Sequence, residues 1–339
     1  MGKTIRRVVC RFGVLAPAAA FVLFSLTGRG FSDKPDDGGN ARVSIEPRVE
    51  ARGSAERTST DIRVQANLVL IPVTVTDRHE RFVTGLDKDY FKLYEDKVEQ
   101  IITHFAQEDA PISVGVVFDC SGSMKPKMDK ARGAVDQFLK TANPGDEFSL
   151  VSFADRPELL VHFTEKTEEI RNRLRGTQAE GRTALLDAIL LSFREMKKAR
   201  NTRKALLIIS DGGDNSSRYT VRELKNIVRE GDVQIFAIGI IDSPGMQRPT
   251  AEELAGPALL SDIAGQSGGL LFEVDNWNQL SGIATKIGVA LRNQYLLGYS
   301  PANMQKDGKY HRVQVKLEQQ KGGPRLRASW RLGYYAPVQ

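Results

Sequence analysis

Cysteine is nearly missing: the 339 residues contain two, at positions 10 and 120. Cys10 falls in an amino-terminal targeting stretch, so the remainder holds Cys120 alone. One cysteine cannot close an internal disulfide, and the fold must rely on its core. Histidine is scarce as well. The four, at 79, 104, 162 and 311, show no paired spacing that would suggest zinc. No Ser-His-Asp arrangement, phosphate-binding P-loop or His-Glu-x-x-His motif is visible. A broad basic surface is lacking too, although the net charge is +6. Lys3, Arg6, Arg7, Arg11 and Arg29 supply five of those charges, and residues 1–30 contain no acid. The rest is close to neutral, which removes the electrostatic footprint of a nucleic-acid binder. Hydrophobic residues make up 41% of the chain, enough for a packed core and against global disorder.

The first 30 residues read as a targeting segment, basic from Lys3 to Arg11 and apolar from Val14 to Leu26. That run is shorter than the ~20 residues of a relaxed membrane span. Two readings fit it: a signal peptide that is removed, or a retained anchor, since no clear A-x-A cleavage site follows. Cys10 precedes the apolar run, which is the wrong side for a lipid-modified cysteine. Either reading exports the folded part to the periplasm, the cell envelope or the exterior. Residues 31–65 are polar and read as a flexible linker.

From residue 66 the pattern becomes that of strands. Val69, Ile71, Val73 and Val75 alternate with other side chains, and Pro72 hints at an edge strand. Phe91 with Leu93, then Ile101, Thr103 and Phe105, suggest further short strands. A different regime starts near residue 110. Ile112–Phe118 is an almost unbroken apolar run, and Phe148–Phe153, Ala205–Ser210 and Gln234–Ile241 resemble it, as strands buried on both faces should. Between and after them apolar residues recur at helical spacing, as in Met128, Ala131, Val135, Phe138 and Leu139, or Leu186, Ile189, Leu190 and Phe193. Val221, Leu224, Ile227 and Val228 repeat it, as do Leu280, Ile283, Ile287 and Leu291. Buried strands alternating with amphipathic helices predict an α/β, doubly wound, mostly parallel sheet over 110–292. After it, Val313, Val315 and Leu317 alternate, and so do Leu326, Ala328, Trp330 and Leu332. The flanks 66–109 and 293–339 are therefore expected to pair into a small β-sheet or sandwich with the α/β domain inserted between them. Residues 66–109 carry a net charge of −4 and 301–335 a net +6, weak support for that pairing.

Three loops carry oxygen donors at element boundaries. Asp119-Cys120-Ser121-Gly122-Ser123 follows the first buried strand, where open α/β sheets place ligands. Ser210-Asp211-Gly212-Gly213-Asp214-Asn215 ends another strand, and Gly181-Arg182-Thr183 lies just before a helix. Hard oxygens with few carboxylates suit Mg²⁺. Taken singly, Asp119 could equally be a turn or helix-capping acid, and Ser123 could cap the next helix. Asp187 sits in a helix first turn, where an acid is favoured structurally, and Asp214 suits either a metal-bound water or a turn. Cys120 is too soft for Mg²⁺ and reads as a small buried hydrophobe. Trp330 reads as core, and Trp277 as the entry to the last helix.

Together these loops resemble the von Willebrand factor A family. Its metal-ion-dependent adhesion site has the pattern Asp-x-Ser-x-Ser, then a loop Thr, then an Asp after the fourth sheet strand. Asp119, Ser121, Ser123, Thr183 and Asp211 match in that order, and the resemblance covers about 112–292. Val83-Thr84-Gly85-Leu86, Tyr90-Phe91 and Tyr94-Glu95-Asp96 look like a bacterial subgroup described only as related to that family. One departure is Arg182, where many relatives have Gly; its cation could weaken metal binding or help recruit an anion.

The resemblance implies an exported, non-enzymatic adhesion or assembly module. Its metal, Mg²⁺ with Mn²⁺ or Ca²⁺ as alternatives, would capture an Asp or Glu carboxylate of a partner protein. Nucleic acid is not an expected partner, and a membrane only through an amino-terminal anchor. A second reading is a structural envelope protein whose metal only stabilises the loops. A third is a Mg²⁺-dependent hydrolase, but aspartate-based phosphoryl transfer has a second Asp where this chain has Ser121.

Overall fold

The computed structural model describes residues 68–107, 109–241, 251–301, 307–318 and 324–337. The targeting segment 1–30 and the linker 31–65 lie outside the described residues. Four strands come first: β1 (Val69–Asp77), β2 (Phe91–Glu95), β3 (Val98–Gln100) and β4 (His104–Ala106). Then follow β5 (Ile112–Asp119), α1 (Met128–Leu139), β6 (Glu147–Phe153), β7 (Pro157–Thr164), α2 (Thr167–Arg175), α3 (Leu185–Met196) and β8 (Arg203–Ser210). The α/β region continues with α4 (Val221–Glu230), β9 (Gln234–Ile240), α5 (Ala251–Ser267), β10 (Leu271–Val274) and α6 (Leu280–Arg292). Four more strands close the chain: β11 (Tyr295–Tyr299), β12 (Tyr310–Leu317), β13 (Leu326–Trp330) and β14 (Gly333–Tyr335).

The central sheet runs β10-β9-β8-β5-β6-β7, parallel except for β7. Its apolar runs are continuous because both faces are covered. Val114, Val116 and Phe118 of β5 pack with α1, α2 and α6, while Val117 faces the layer of α3, α4 and α5. The same alternation holds in β8, where Leu207 and Ile209 face one layer and Leu206 and Ile208 the other. The doubly wound α/β expectation is borne out. Most expected helix faces are buried, but Val221 of α4 is exposed. That helix is started by a reciprocal capping box between Thr220 and Glu223.

The chain enters the sheet at β5, steps to β6 and β7 on one side, then returns to β8 on the other. The carboxyl ends of β5 and β8 are thus neighbours at the switch point. Phe118 pairs with Ile209, so Asp119 comes level with Ser210.

The flanking strands form two antiparallel sheets, β13-β1-β11-β4 and β14-β12-β2-β3. Ile71, Val73, Phe91, Leu93, Tyr295, Leu297, Val313 and Val315 share one core between them, which makes a sandwich. Trp330 belongs to it, its indole N–H donating to the Val313 carbonyl at 2.9 Å. β1 is not an edge strand, contrary to what Pro72 suggests. β13 pairs only from Val73 onward, so Pro72 has a strand on one side alone and its missing N–H costs no ladder bond there. Ile101 is 81% exposed, and the strand expected around it starts only at His104.

Candidate functional site

The site is built at the carboxyl ends of β5 and β8. Asp119 is fully buried and both its oxygens are engaged. Oδ1 accepts from the Ser121 backbone N–H at 2.8 Å, and Oδ2 from the Ser210 hydroxyl at 2.5 Å. Ser210 in turn accepts from the Gly212 N–H at 2.9 Å, so one hydroxyl ties the two acid-bearing loops together. Asp211 is 8% exposed. Its Oδ2 lies 3.4 Å from the Lys127 ammonium, while its Oδ1 is buried with no hydrogen-bond partner. An orphaned carboxylate oxygen in the interior is costly, and in a native site it points to something that binds there.

Backbone bonds knit the third loop to the other two. Gly122 N–H donates to the Gly181 carbonyl at 3.0 Å, and Glu180 N–H to the Cys120 carbonyl at 2.9 Å. Thr183 and Asn215 exchange bonds, Thr183 N–H to Asn215 Oδ1 and Asn215 N–H to the Thr183 carbonyl, both at 2.9 Å. Two glycines permit this closeness. Gly181 has φ +81°, and a Cβ there would stand 2.7 Å from the Asp155 carboxylate. Gly212 has φ +86° and lies against the Gly256 backbone of α5, leaving no room for a side chain.

The helix-capping alternatives do not hold, although Asp119 does make a turn contact by accepting from the Ser121 N–H two residues on. Ser121 precedes a 3-10 turn (Gly122–Met124) without capping it through its side chain, and α1 starts from Lys127 rather than Ser123. The Ser121 and Ser123 hydroxyls instead lie 3.1 Å apart, side by side. Asp187 is structural, accepting from the Arg218 and Tyr219 backbone N–H groups. Asp214 caps α3 from a distance, accepting from Leu185 N–H at 2.9 Å. Arg182 reaches the Asn215 carbonyl, so its cation braces two loops. Cys120 is buried in the core, and burial pushes its thiol up to about 11. Trp277 lies in a 3-10 turn that leads into α6.

Burial first, and then the charge of Asp211, push the Asp119 carboxyl up to about 7. Two interior acids of like charge with one lysine among them form a site with excess negative charge. Its donors are carboxylates and hydroxyls, the hard oxygens that suit Mg²⁺, and the orphaned Asp211 oxygen fits such an ion. Ser210 and Lys127 were not singled out in the sequence. Ser210 merely ends an apolar run, whereas Lys127 did carry a signal: it precedes Ala131, Ala134 and Phe138 on the buried face of α1.

The von Willebrand factor type A family model matches residues 114–213, which contain all five candidate residues and Lys127. The chain carries a von Willebrand factor type A (VWA) domain. The human inter-alpha-trypsin inhibitor heavy chain H4 is 29% identical over 157 residues, 41% of this chain and 17% of that protein. The Bos taurus protein of the same name is 28% identical over 145 residues, 38% of this chain and 16% of its own. The match thus spans under a fifth of the length of each of these two relatives. A solved von Willebrand factor type A structure from Catenulispora acidiphila aligns with TM-score 0.47 at 15% identity, covering 81% of this chain and 75% of that one. VWA domains generally mediate protein–protein interaction or adhesion and are generally non-enzymatic.

A second group of metal-capable side chains converges in the sandwich: Glu95, Asp96 and His311. Here every acid is occupied. Glu95 Oε2 accepts from the Tyr299 hydroxyl at 2.5 Å and the Tyr334 hydroxyl at 3.2 Å. Asp96 Oδ1 accepts from Arg312 N–H, and its Oδ2 is 2.9 Å from His311 Nδ1. Asp307 stands 3.5 Å from His311 Nε2. Desolvation by itself would lower the imidazole pKa, but the Asp96 hydrogen bond, the charges of Glu95 and Asp96 and the Asp307 hydrogen bond outweigh it and raise it. The imidazole and its carboxylates tie β12 to the end of β2 within one sheet, and the Glu95–Tyr299 bond reaches β11 of the other. Histidine spacing in the sequence gave no hint of it, because Asp96 and His311 meet only through the pairing of β2 with β12.

Proposed function

We propose that this chain is an exported, non-enzymatic binding module whose VWA domain holds a divalent cation. Asp119, Ser121, Ser123, Thr183 and Asp211 would hold it, with Mg²⁺ the ion that best suits their oxygens. When bound, the ion supplies a Lewis-acidic position open to a partner protein's Asp or Glu carboxylate. The chain's own residues do the rest. Asp119 and Asp211 provide the negative charge, the three hydroxyls provide neutral oxygens, and the loop-to-loop hydrogen bonds hold the set in place before any ligand arrives. The observation that carries the reading is the buried, unpartnered Asp211 Oδ1 beside a second buried acid. Export rests on the basic and apolar pattern of residues 1–30, and the domain boundaries on the change in pattern near residues 66, 110 and 293.

The test is affinity capture from envelope extract with wild type and Asp119→Ala, each in Mg²⁺ and in chelator. A partner retained only by wild type in Mg²⁺ is the expected result. Equal retention in all four conditions overturns metal-dependent binding. Mg²⁺ that raises the melting temperature of wild type, with no partner in any condition, would point instead to a purely stabilising ion.

A further inference from the structure

Lys127 is the unexpected member of the site. Its side chain is fully buried, and few charged residues are buried so completely. It stands at the start of α1 with backbone bonds to Met124 and Ala131, so the helix fixes where the side chain departs. Its ammonium reaches Asp211 on the oxygen opposite the orphaned one. Asp211 therefore has two ends, one held by a cation of the chain and one left open.

We propose that Lys127 is a resident counter-cation of the metal site: it keeps the ion-free site folded and sets divalent binding weak enough for the ion to exchange. The inference rests on the reading of this site as a divalent-cation site. With Asp119 and Asp211 ionised, these three side chains sum to −1 rather than the −2 of the two acids alone. A divalent ion among them then stands in surroundings one unit more positive than it would without Lys127. That added charge favours an incoming carboxylate. Two consequences follow from the same electrostatics. A like charge close to the ion weakens its binding, strongly so in a desolvated interior. Without the ion, the ammonium keeps Asp211 from standing as an unpaired buried charge, which would otherwise be strongly destabilising.

The experiment titrates Mn²⁺ into wild type, Lys127→Met and Lys127→Arg by calorimetry, and melts each protein in chelator and in saturating Mn²⁺. Lys127→Met is expected to bind Mn²⁺ at least about ten-fold tighter than wild type. It should melt well below wild type in chelator and recover in Mn²⁺, while Lys127→Arg, which retains the charge, stays near wild type. Wild type that binds Mn²⁺ with Lys127→Met equal or weaker overturns the inference and leaves the cation site standing. Binding by Lys127→Met alone supports the inference while removing wild-type metal binding from the proposed function. Folded proteins that bind no Mn²⁺ at all overturn both. Should Lys127→Met fail to fold, Lys127→Gln, which also removes the charge, is read by the same outcomes: tighter Mn²⁺ binding than wild type supports the inference, and equal or weaker binding overturns it.

Discussion

Two clusters of acids, one around the buried Glu95 and the exposed Asp96 and one around the buried Asp119 and Asp211, differ in how completely they are satisfied. In the sandwich, Glu95 and Asp96 spend their oxygens on two tyrosine hydroxyls, a backbone N–H and an imidazole. At the switch point of the VWA sheet, Asp119 is engaged on both oxygens but Asp211 leaves one bare. Both regions contain titratable residues drawn together from distant parts of the chain. The lesson is that convergence of acids does not by itself mark a site. A network whose members are all paired holds the fold together, whereas Asp211 Oδ1 is, among the described residues, the carboxylate oxygen left buried without a partner.

This contrast can be broken at either end. The largest effect is expected from Glu95→Ala, which strips Tyr299 and Tyr334 of their acceptor and His311 of a counter-charge. It should cost about 3–5 kcal/mol in denaturant unfolding, with Mg²⁺ affinity left within about two-fold of wild type by calorimetry. A loss of Mg²⁺ binding in that variant would erase the distinction between the two groups. Next comes Asp119→Ala, with Mg²⁺ affinity falling at least about 100-fold. Its stability in chelator should change little, since the lost hydrogen bonds are offset by relief of repulsion with Asp211. Thr183→Val, which keeps shape and removes one hydroxyl, should weaken Mg²⁺ by about ten-fold with an unchanged melting temperature. Smallest is the pH effect at His311. Its pKa is raised in the folded protein, so its stabilising share is complete below the unfolded value of about 6.5 and is lost as pH rises through the folded value. The melting-temperature gap between wild type and His311→Gln should therefore narrow from about pH 6 to about pH 9. A gap that widens in that interval would mean that His311 is not held as a cation.

Much of the architecture was legible. Runs such as Ile112–Phe118 and Ala205–Ser210 announce strands covered on both faces, and the helical spacing of α1, α3 and α6 announces the layers. Less legible were α2 and α5. Helix α2 buries only Ile170 and Leu174 among charged neighbours. Helix α5 contains Pro257 and Gly256, so its sequence has no clean apolar stripe. Strand β7 lies at an edge and is only partly buried, which blurs its alternation. At the site, Asp119, Ser121, Ser123, Thr183 and Asp211 could be picked out by loop position. Ser210 and Lys127 could not be given their roles that way, because each acts on a residue far along the chain.

Local pattern therefore determined two things about this protein: the α/β class with its flanking strands, and the loops that bear oxygens at strand ends. Side-chain periodicity records only whether a residue faces a core, and glycine and aspartate record only that the chain turns. The order of strands decided the rest. Placing β8 beside β5 set Ser210 against Asp119 and brought Asp211 to a lysine 84 residues away. Pairing β2 with β12 gave His311 its carboxylates. Which charge is answered and which is left open is a property of tertiary contact, because the energy of a buried charge depends on what stands within a few ångströms of it.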